Sequence, residues 1–267
     1  MNIKSKNSFT RYMTGEQPLK PANITNIVAI NQGRKPLTMA LPKAQSLSVP
    51  QVEEMMADGR LIIDCRESTA YGGGHIPGAF NVQLSGGEFE QRVGWVTPDD
   101  SRYILLTEKD EDAQKAIHKM AFIGLDSQVD GFVSGGIKAW MKAGKPLKTV
   151  GQMDVHTLQH KLNTNGLKVL DVRSPDEWDD GHIAVAHHMN YTAMVPQLTA
   201  PAQIGNLTIP KDNSIGVVCA TGQRSSTAIS LLLRHGWPNL YNVTGGMAAW
   251  EDAGFSMVNG EGIACNI

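Results

Sequence analysis

Leu61-Ile62-Ile63-Asp64-Cys65-Arg66 is an apolar run closed by an acid and a base, and Lys168-Val169-Leu170-Asp171-Val172-Arg173 repeats it 107 residues later. Downstream of each, Gly74-His75-Ile76 and Gly181-His182-Ile183 keep the same spacing. Thr97-Pro98-Asp99 matches Ile209-Pro210-Lys211 at an offset of 112. Val133-Ser134-Gly135-Gly136 through Trp140 matches Val243-Thr244-Gly245-Gly246 through Trp250 at an offset of 110. Such small changes of offset mean short loop insertions. The chain therefore holds two copies of one domain-sized unit, far longer than a solenoid repeat.

Within each copy short buried runs alternate with amphipathic ones. Leu61 to Ile63, Tyr103 to Leu106, Val169 to Leu170 and Ile215 to Val218 predict strands. Val52 to Met56, Ala113 to Phe122 and Ser226 to Arg234 predict helices, and Gly236 stands where a glycine ends the last of them. The alternation predicts an α/β fold: two tandem domains, each a parallel sheet flanked by helices. Residues 1–45 read as an N-terminal extension without a core pattern, 46–147 as the first domain and 148–267 as the second. The stretch Ala143 to Met153, with Gly144-Lys145-Pro146, reads as the boundary between them.

Composition narrows the function. Of 267 residues 41% are hydrophobic and 19% charged, values of a soluble globular protein. The net charge of -2 comes with no basic stripe, so no nucleic-acid partner is expected. No apolar stretch reaches the roughly 20 residues of a membrane span, and no membrane partner is expected. Met1 to Glu16 is polar and lacks a signal-peptide core. The three cysteines, Cys65, Cys219 and Cys265, are odd in number and scattered, which argues against a disulfide framework and for a reducing cytoplasm.

One thiol stands apart. Cys219-Ala220-Thr221-Gly222-Gln223-Arg224 follows the strand Ile215 to Val218 and precedes a helix. Strand, tight loop and helix N-terminus gather backbone N–H groups around one concave point, which binds an anion and favours a thiolate. Gly222 lets the loop turn. Arg224 adds a positive fork suited to an oxyanion. Cys219 is the expected nucleophile, and Ala220, Thr221, Gly222, Gln223 and Arg224 the expected substrate cradle.

The segment resembles the Cys-x-x-Gly-x-Arg-Ser active loop of rhodanese-like domains. Asp171-Val172-Arg173, Gly181-His182-Ile183 and Gly245-Gly246 through Trp250 also resemble that family's motifs. The resemblance runs from about residue 46 to the C-terminus as two tandem domains. It implies a sulfurtransferase that moves sulfane sulfur from thiosulfate or a low-molecular-weight persulfide to a thiol or cyanide through a Cys219 persulfide, without cofactor. In the second copy Ala184-Val185-Ala186 follows Ile183, where the family often has Pro-Gly-Ala; the first copy keeps that form as Pro77-Gly78-Ala79. Phosphatases that the family resembles place five residues between cysteine and arginine, whereas four separate Cys219 from Arg224. The smaller cradle suits a single terminal sulfur better than a phosphate. Ala220 and Thr221 are neutral where thiosulfate-preferring members often carry basic residues.

The first copy acts as an internal control. At an offset of 112, Cys219 maps to Thr107, Gly222 to Asp110 and Arg224 to Asp112, within Thr107-Glu108-Lys109-Asp110-Glu111-Asp112. Thiol and glycine are gone and acids stand where an anion would bind, so that domain is expected to be inactive. Features common to both copies, including the Asp–Arg pairs, His75 and His182, are expected to be scaffold.

The remaining candidates are weaker. Cys65 reads as structural and Cys265 as an exposed tail residue, with a lesser reading as the thiol that resolves the Cys219 persulfide. His182, His187 and His188 beside Asp179 and Asp180 match no metal-ligand spacing, and no metal is expected. Glu177 and Trp178 either line the mouth of the site or pack in the core. Phe9 to Met39 resembles the C-terminal tail of metallo-β-lactamase-fold persulfide dioxygenases, a family sometimes fused to rhodanese domains. That resemblance implies a second reading, a sulfur carrier or docking module for a partner persulfide dioxygenase. The dioxygenase's His-x-His-x-Asp-His motif is absent from this chain.

Overall fold

The structure, a computed structural model, describes residues 23–36, 42–164, 166–197 and 212–265, together with residues 5, 6, 9, 10, 14, 20, 21, 40 and 209. Parts of the Phe9 to Met39 stretch fall outside the described residues.

After helix α1 (Ile24–Asn31) the first unit runs β1 (Ser46–Leu47), α2 (Val49–Ala57), β2 (Leu61–Asp64), α3 (Ser68–Gly73), β3 (Phe80–Asn81), α4 (Phe89–Val96), β4 (Tyr103–Leu106), α5 (Asp112–Ala121), β5 (Val129–Val133) and α6 (Gly136–Lys142). The second runs β6 (Gly151–Met153), α7 (Val155–Thr164), β7 (Lys168–Asp171), α8 (Pro175–Asp180), β8 (Ala186–His188), α9 (Met194–Gln197), β9 (Ile215–Val218), α10 (Gln223–Arg234), β10 (Leu240–Val243) and α11 (Gly246–Asp252). The strand orders are β1-β5-β4-β2-β3 and β6-β10-β9-β7-β8, the same order twice, and every pairing is parallel. The repeat in sequence is thus a repeat in topology.

The four strands legible as apolar runs are β2, β4, β7 and β9, which lie inside their sheets and are covered on both faces. Ile63, Ile104, Leu105, Ile215 and Val217 are fully buried, each contributing about 1.5–3 kcal/mol from burial. The edge strands have two or three residues, too few to show a period. The stretch read as a boundary carries one of them: Gly151–Met153 pairs with β10. Just before it, Val150 donates to Gly72 O at 2.9 Å and Lys148 pairs with His75, tying the segment to the first unit.

The N-terminal extension contains a helix that its sequence did not announce. It docks through polar side chains: Asn26 donates to Gly124 O at 3.0 Å and Thr25 to Asp99 at 3.2 Å. Its apolar residues make no clear stripe, which is why no core pattern is visible there.

The two units share a core. One face of the second sheet, through Leu170, Val172 and Val217, packs with Ala228, Ile229 and Leu232 of α10 in the same apolar cluster as the first unit's interior. The other face forms a separate cluster around Val169, Val218, Val243 and Trp250. Helix α10 is therefore enclosed, with even Ser225, Ser226, Thr227 and Ser230 buried.

Candidate active site

Strand pairing confirms which residues correspond. Asp64 of β2 faces Leu106, and Asp171 of β7 faces Val218. The next residues, Thr107 and Cys219, occupy the same place at the carboxyl edges of the two sheets, where ligands bind in parallel α/β sheets.

Cys219 is buried, at 1% exposure, and its Sγ accepts the Gly222 N–H at 3.2 Å. Ser225 Oγ lies 3.5 Å from the same sulfur and donates onward to Asn242 Oδ1 at 2.6 Å. Helix α10 begins at Gln223, so the N–H groups of its first turn have no intrahelical acceptor and the positive end of its dipole meets the loop. Gly222 has φ +99°, and Asn242 Nδ2 ties its carbonyl to β10 at 3.1 Å. Ala220 is half-buried and Thr221 exposed at the rim; Gln223 and Arg224 are half-buried.

The loop is also held from behind. Met247 and Ala248, in the first turn of α11, donate to the carbonyls of Cys219 (2.8 Å) and Ala220 (3.0 Å). This explains the Gly-Gly before each tryptophan. A Cβ on Gly246, whose φ is +56°, would stand 2.2 Å from Cys219 O. In the first unit Gly136 holds the same place at φ +58°, 3.1 Å from Thr107 O. The motif is scaffold in both copies, yet in the second it shapes the loop that bears the thiol.

Arg224 departs from the simple expectation of a free fork. Its Nη1 and Nη2 both donate to Glu177, at 2.7 and 2.6 Å. Hydrogen bonds from Arg224 outweigh partial burial and hold the Glu177 carboxyl down at about 2. The same pair drives the Arg224 guanidinium further up. Of the two readings of Glu177, the structure favours the mouth of the site: it joins α8 to the loop and caps its own helix through Ser174. Trp178 instead stacks on His182, with ring centroids 3.4 Å apart.

A consequence is measurable. A depressed carboxyl contributes stability above its ordinary value of 4.5 and loses it as pH falls toward about 2. Glu177→Gln is expected to lower the urea midpoint at pH 7, and the gap from wild type should close between pH 4.5 and 2. A gap that persists at pH 2 would mean that the ion pair is not its source.

The Asp–Arg pairs sit as expected. Arg173 grips Asp171 at 2.7 Å and reaches Gly181 O at 2.7 Å; Arg66 does the same with Asp64 (2.6 Å) and Gly74 O (2.8 Å). His75 and His182 each bond through Nδ1 to a carbonyl four residues back. Burial lowers His75 to about 4, so it is neutral at pH 7. Among the described residues no group of three or more potential ligands is placed to hold a metal.

The first unit has a cavity of about 430 Å³ at the equivalent edge, lined by Cys65, Thr107, Glu108, Asp112 and Lys115 among others. Burial pushes the Cys65 thiol well up, helped by Asp64, which keeps it protonated and unreactive. Cys265 is not a loose end: its N–H donates to Met257 O at 2.9 Å, and Ala264 pairs with Val258. The three thiols are free.

Asn242 and Gln152 were not singled out in the sequence; behind the loop Asn242 Nδ2 donates to Gln152 Oε1 at 3.4 Å. Their only signal was position, in strands too short or too mixed to read. No helix among the described residues is long and apolar enough to cross a membrane.

Comparison with known proteins agrees with this architecture. The family model for the rhodanese-like domain matches residues 48–143 and again 154–253. A sulfurtransferase of Allochromatium vinosum is 30% identical over 114 residues, 42% of this chain and 99% of that protein. The protein HIGH ARSENIC CONTENT 1, mitochondrial, of Arabidopsis thaliana is 32% identical over 117 residues, 42% of this chain and 68% of its own. The thiosulfate sulfurtransferase GlpE of Pseudomonas paraeruginosa is 29% identical over 91 residues, 34% of this chain and 76% of its own. Among solved structures, the Alr3790 protein from Anabaena sp. is 28% identical with a TM-score of 0.35, covering 40% of this chain and 82% of that one. With the family model spanning both halves of the chain, the protein belongs to the rhodanese-like family and carries its domain twice.

Proposed function

We infer that the protein is a sulfurtransferase that carries sulfane sulfur as a persulfide on Cys219. The observation that carries this reading is the buried Sγ held by the Gly222 N–H at 3.2 Å, at the end of a central strand and before a helix N-terminus. Its similarity to proteins named as sulfurtransferases supports it.

In the reaction the Cys219 thiolate attacks the outer sulfur of thiosulfate. The S–S bond breaks, sulfite leaves with the electron pair, and a Cys219 persulfide remains. Cyanide or an acceptor thiolate then attacks the terminal sulfur, forming thiocyanate or a new persulfide and returning the thiolate. The Gly222 amide and the end of α10 favour the negative sulfur at each stage. Glu177 already occupies the Arg224 fork, so Arg224 acts as a fixed charge beside the thiol. Thr107 and its acidic neighbours leave the first domain without this chemistry.

Full-length protein incubated with thiosulfate should gain one sulfur on Cys219 by intact mass, and cyanide should remove it as thiocyanate. No gain at Cys219 with either thiosulfate or glutathione persulfide would sink the reading. Rapid steady-state turnover identifies an enzyme. Loading without turnover favours the sulfur carrier.

A further inference from the structure

The first domain, whose equivalent loop lacks the cysteine, lends two side chains and one glycine to the catalytic helix and loop. Asn81 accepts Ser226 Oγ at 2.5 Å on its side chain and Thr227 Oγ1 at 2.7 Å on its carbonyl. Arg92, on α4, donates through Nη1 to Gln223 Oε1 at 3.2 Å. Gln223 directly precedes Arg224, and its side chain lies so close to Gly86 that a Cβ there would stand 2.5 Å from Oε1.

Arg92 is an unusual cation. It is 7% exposed, its Nε has no hydrogen-bond partner, and among the described residues no carboxylate forms an ion pair with it. Its charge also acts on the buried Tyr191, which feels Arg224 as well. Burying an unpaired charge is costly, and a scaffold role for α4 would be met more cheaply by an apolar side chain. The chain of contacts runs from Arg92 to Gln223, then along the backbone to Gly222, whose N–H holds the Cys219 sulfur at 3.2 Å.

We propose that Arg92 is a positioning residue: through Gln223 it holds the Cys219 loop in its sulfur-receiving form, so that the first domain is a working part of the second domain's site. This rests on the sulfurtransferase reading for its kinetic consequence but not for its geometric one.

Two readouts separate them in the full-length protein. The first is thiosulfate:cyanide kinetics. Arg92→Met should lower kcat about 10- to 100-fold with KM changed less than about threefold, the pattern of a misplaced reacting group. Arg92→Lys should recover part of the loss, since it keeps the charge and one donor. Gln223→Ala should show the same loss, and the double variant Arg92→Met/Gln223→Ala no further loss, because both act through one contact. Gly86→Ala, whose Cβ would stand 2.5 Å from Gln223 Oε1 and 3.3 Å from Arg92 Nη1, crowds the same contact while keeping both side chains. It should reproduce the defect, and it guards against a folding failure of Arg92→Met.

The second readout is the rate at which iodoacetamide alkylates Cys219, which needs no sulfur donor. It should change about fivefold or more in Arg92→Met and in Gly86→Ala if the loop moves. Unchanged alkylation together with kcat within about twofold of wild type would overturn the proposal. A rise in KM alone would overturn it too, as the sign of a direct substrate contact. Wild-type protein that never loads sulfur, while alkylation still responds to Arg92→Met, would refute the sulfurtransferase reading and leave the positioning role standing.

Discussion

Cys219→Ser should leave no measurable transfer of sulfur from thiosulfate to cyanide, a loss of at least about 10⁴-fold in kcat. The physical reason is the nucleophile. A serine hydroxyl stays protonated near neutrality, and an oxygen–sulfur linkage could not hand on sulfur as a persulfide does. The fold should survive. Oγ is smaller than Sγ, and Gly222 N–H and Ser225 Oγ stand ready to bond it. Thermal stability should stay within about 1 kcal/mol of wild type, as for a hydrogen bond exchanged in place. Comparing turnover, Cys219 mass and a melting curve for the two proteins reads both parts. Transfer retained by the serine variant would end the assignment. The companion change, Thr107→Cys in the first domain, should create no activity, because Glu108, Asp110 and Asp112 occupy that loop.

The second large effect is expected from Gly246→Ala, which adds only one methyl group. It would place Cβ 2.2 Å from Cys219 O and 2.7 Å from Ala220 C and O, all backbone atoms that cannot swing aside. It also forces an alanine into φ +56°. Strain and overpacking should cost about 2–4 kcal/mol, and relieving the clash must break the bonds from Met247 and Ala248 to the loop carbonyls. Since those bonds hold the loop around Sγ, sulfur transfer by the folded fraction should fall by about 100-fold or more. The repeat supplies the control. Gly136→Ala meets Thr107 O at 3.1 Å at nearly the same φ, but behind the loop that has no cysteine. It should cost stability and leave turnover per folded molecule within about twofold. Urea melts and steady-state rates for both variants decide the matter. Equal losses of turnover in the two would mean that Gly246 acts through global stability alone.

Several site features are legible in the sequence itself. Cys219, Gly222 and the helix start that follows them are consecutive in the chain, so local geometry dictates their relation. The Asp–Arg and Gly-Gly elements stood out because each occurs twice. Glu177 was visible only as a candidate, since its partner lies 47 residues away and nothing in its own segment distinguishes a clamp from a capping carboxylate. Asn242 and Gln152 lie on β10 and β6, and only sheet pairing brings them behind the loop. Helix α1 was missed because polar anchors, not an apolar stripe, dock it.

The sequence alone therefore determined the two-copy α/β architecture and the cysteine at its centre, because burial pattern and loop chemistry are local and periodic. It also separated the two copies, through the loss of the thiol and the gain of acids in one loop. Tertiary structure alone decided what surrounds that cysteine. It seated Glu177 on Arg224, backed the loop with the amides of α11, and enclosed α10 against Asn81 and Arg92 of the other domain. These contacts join residues up to 146 positions apart. They exist only when two sheets and a shared core have formed, and no spacing along the chain encodes them.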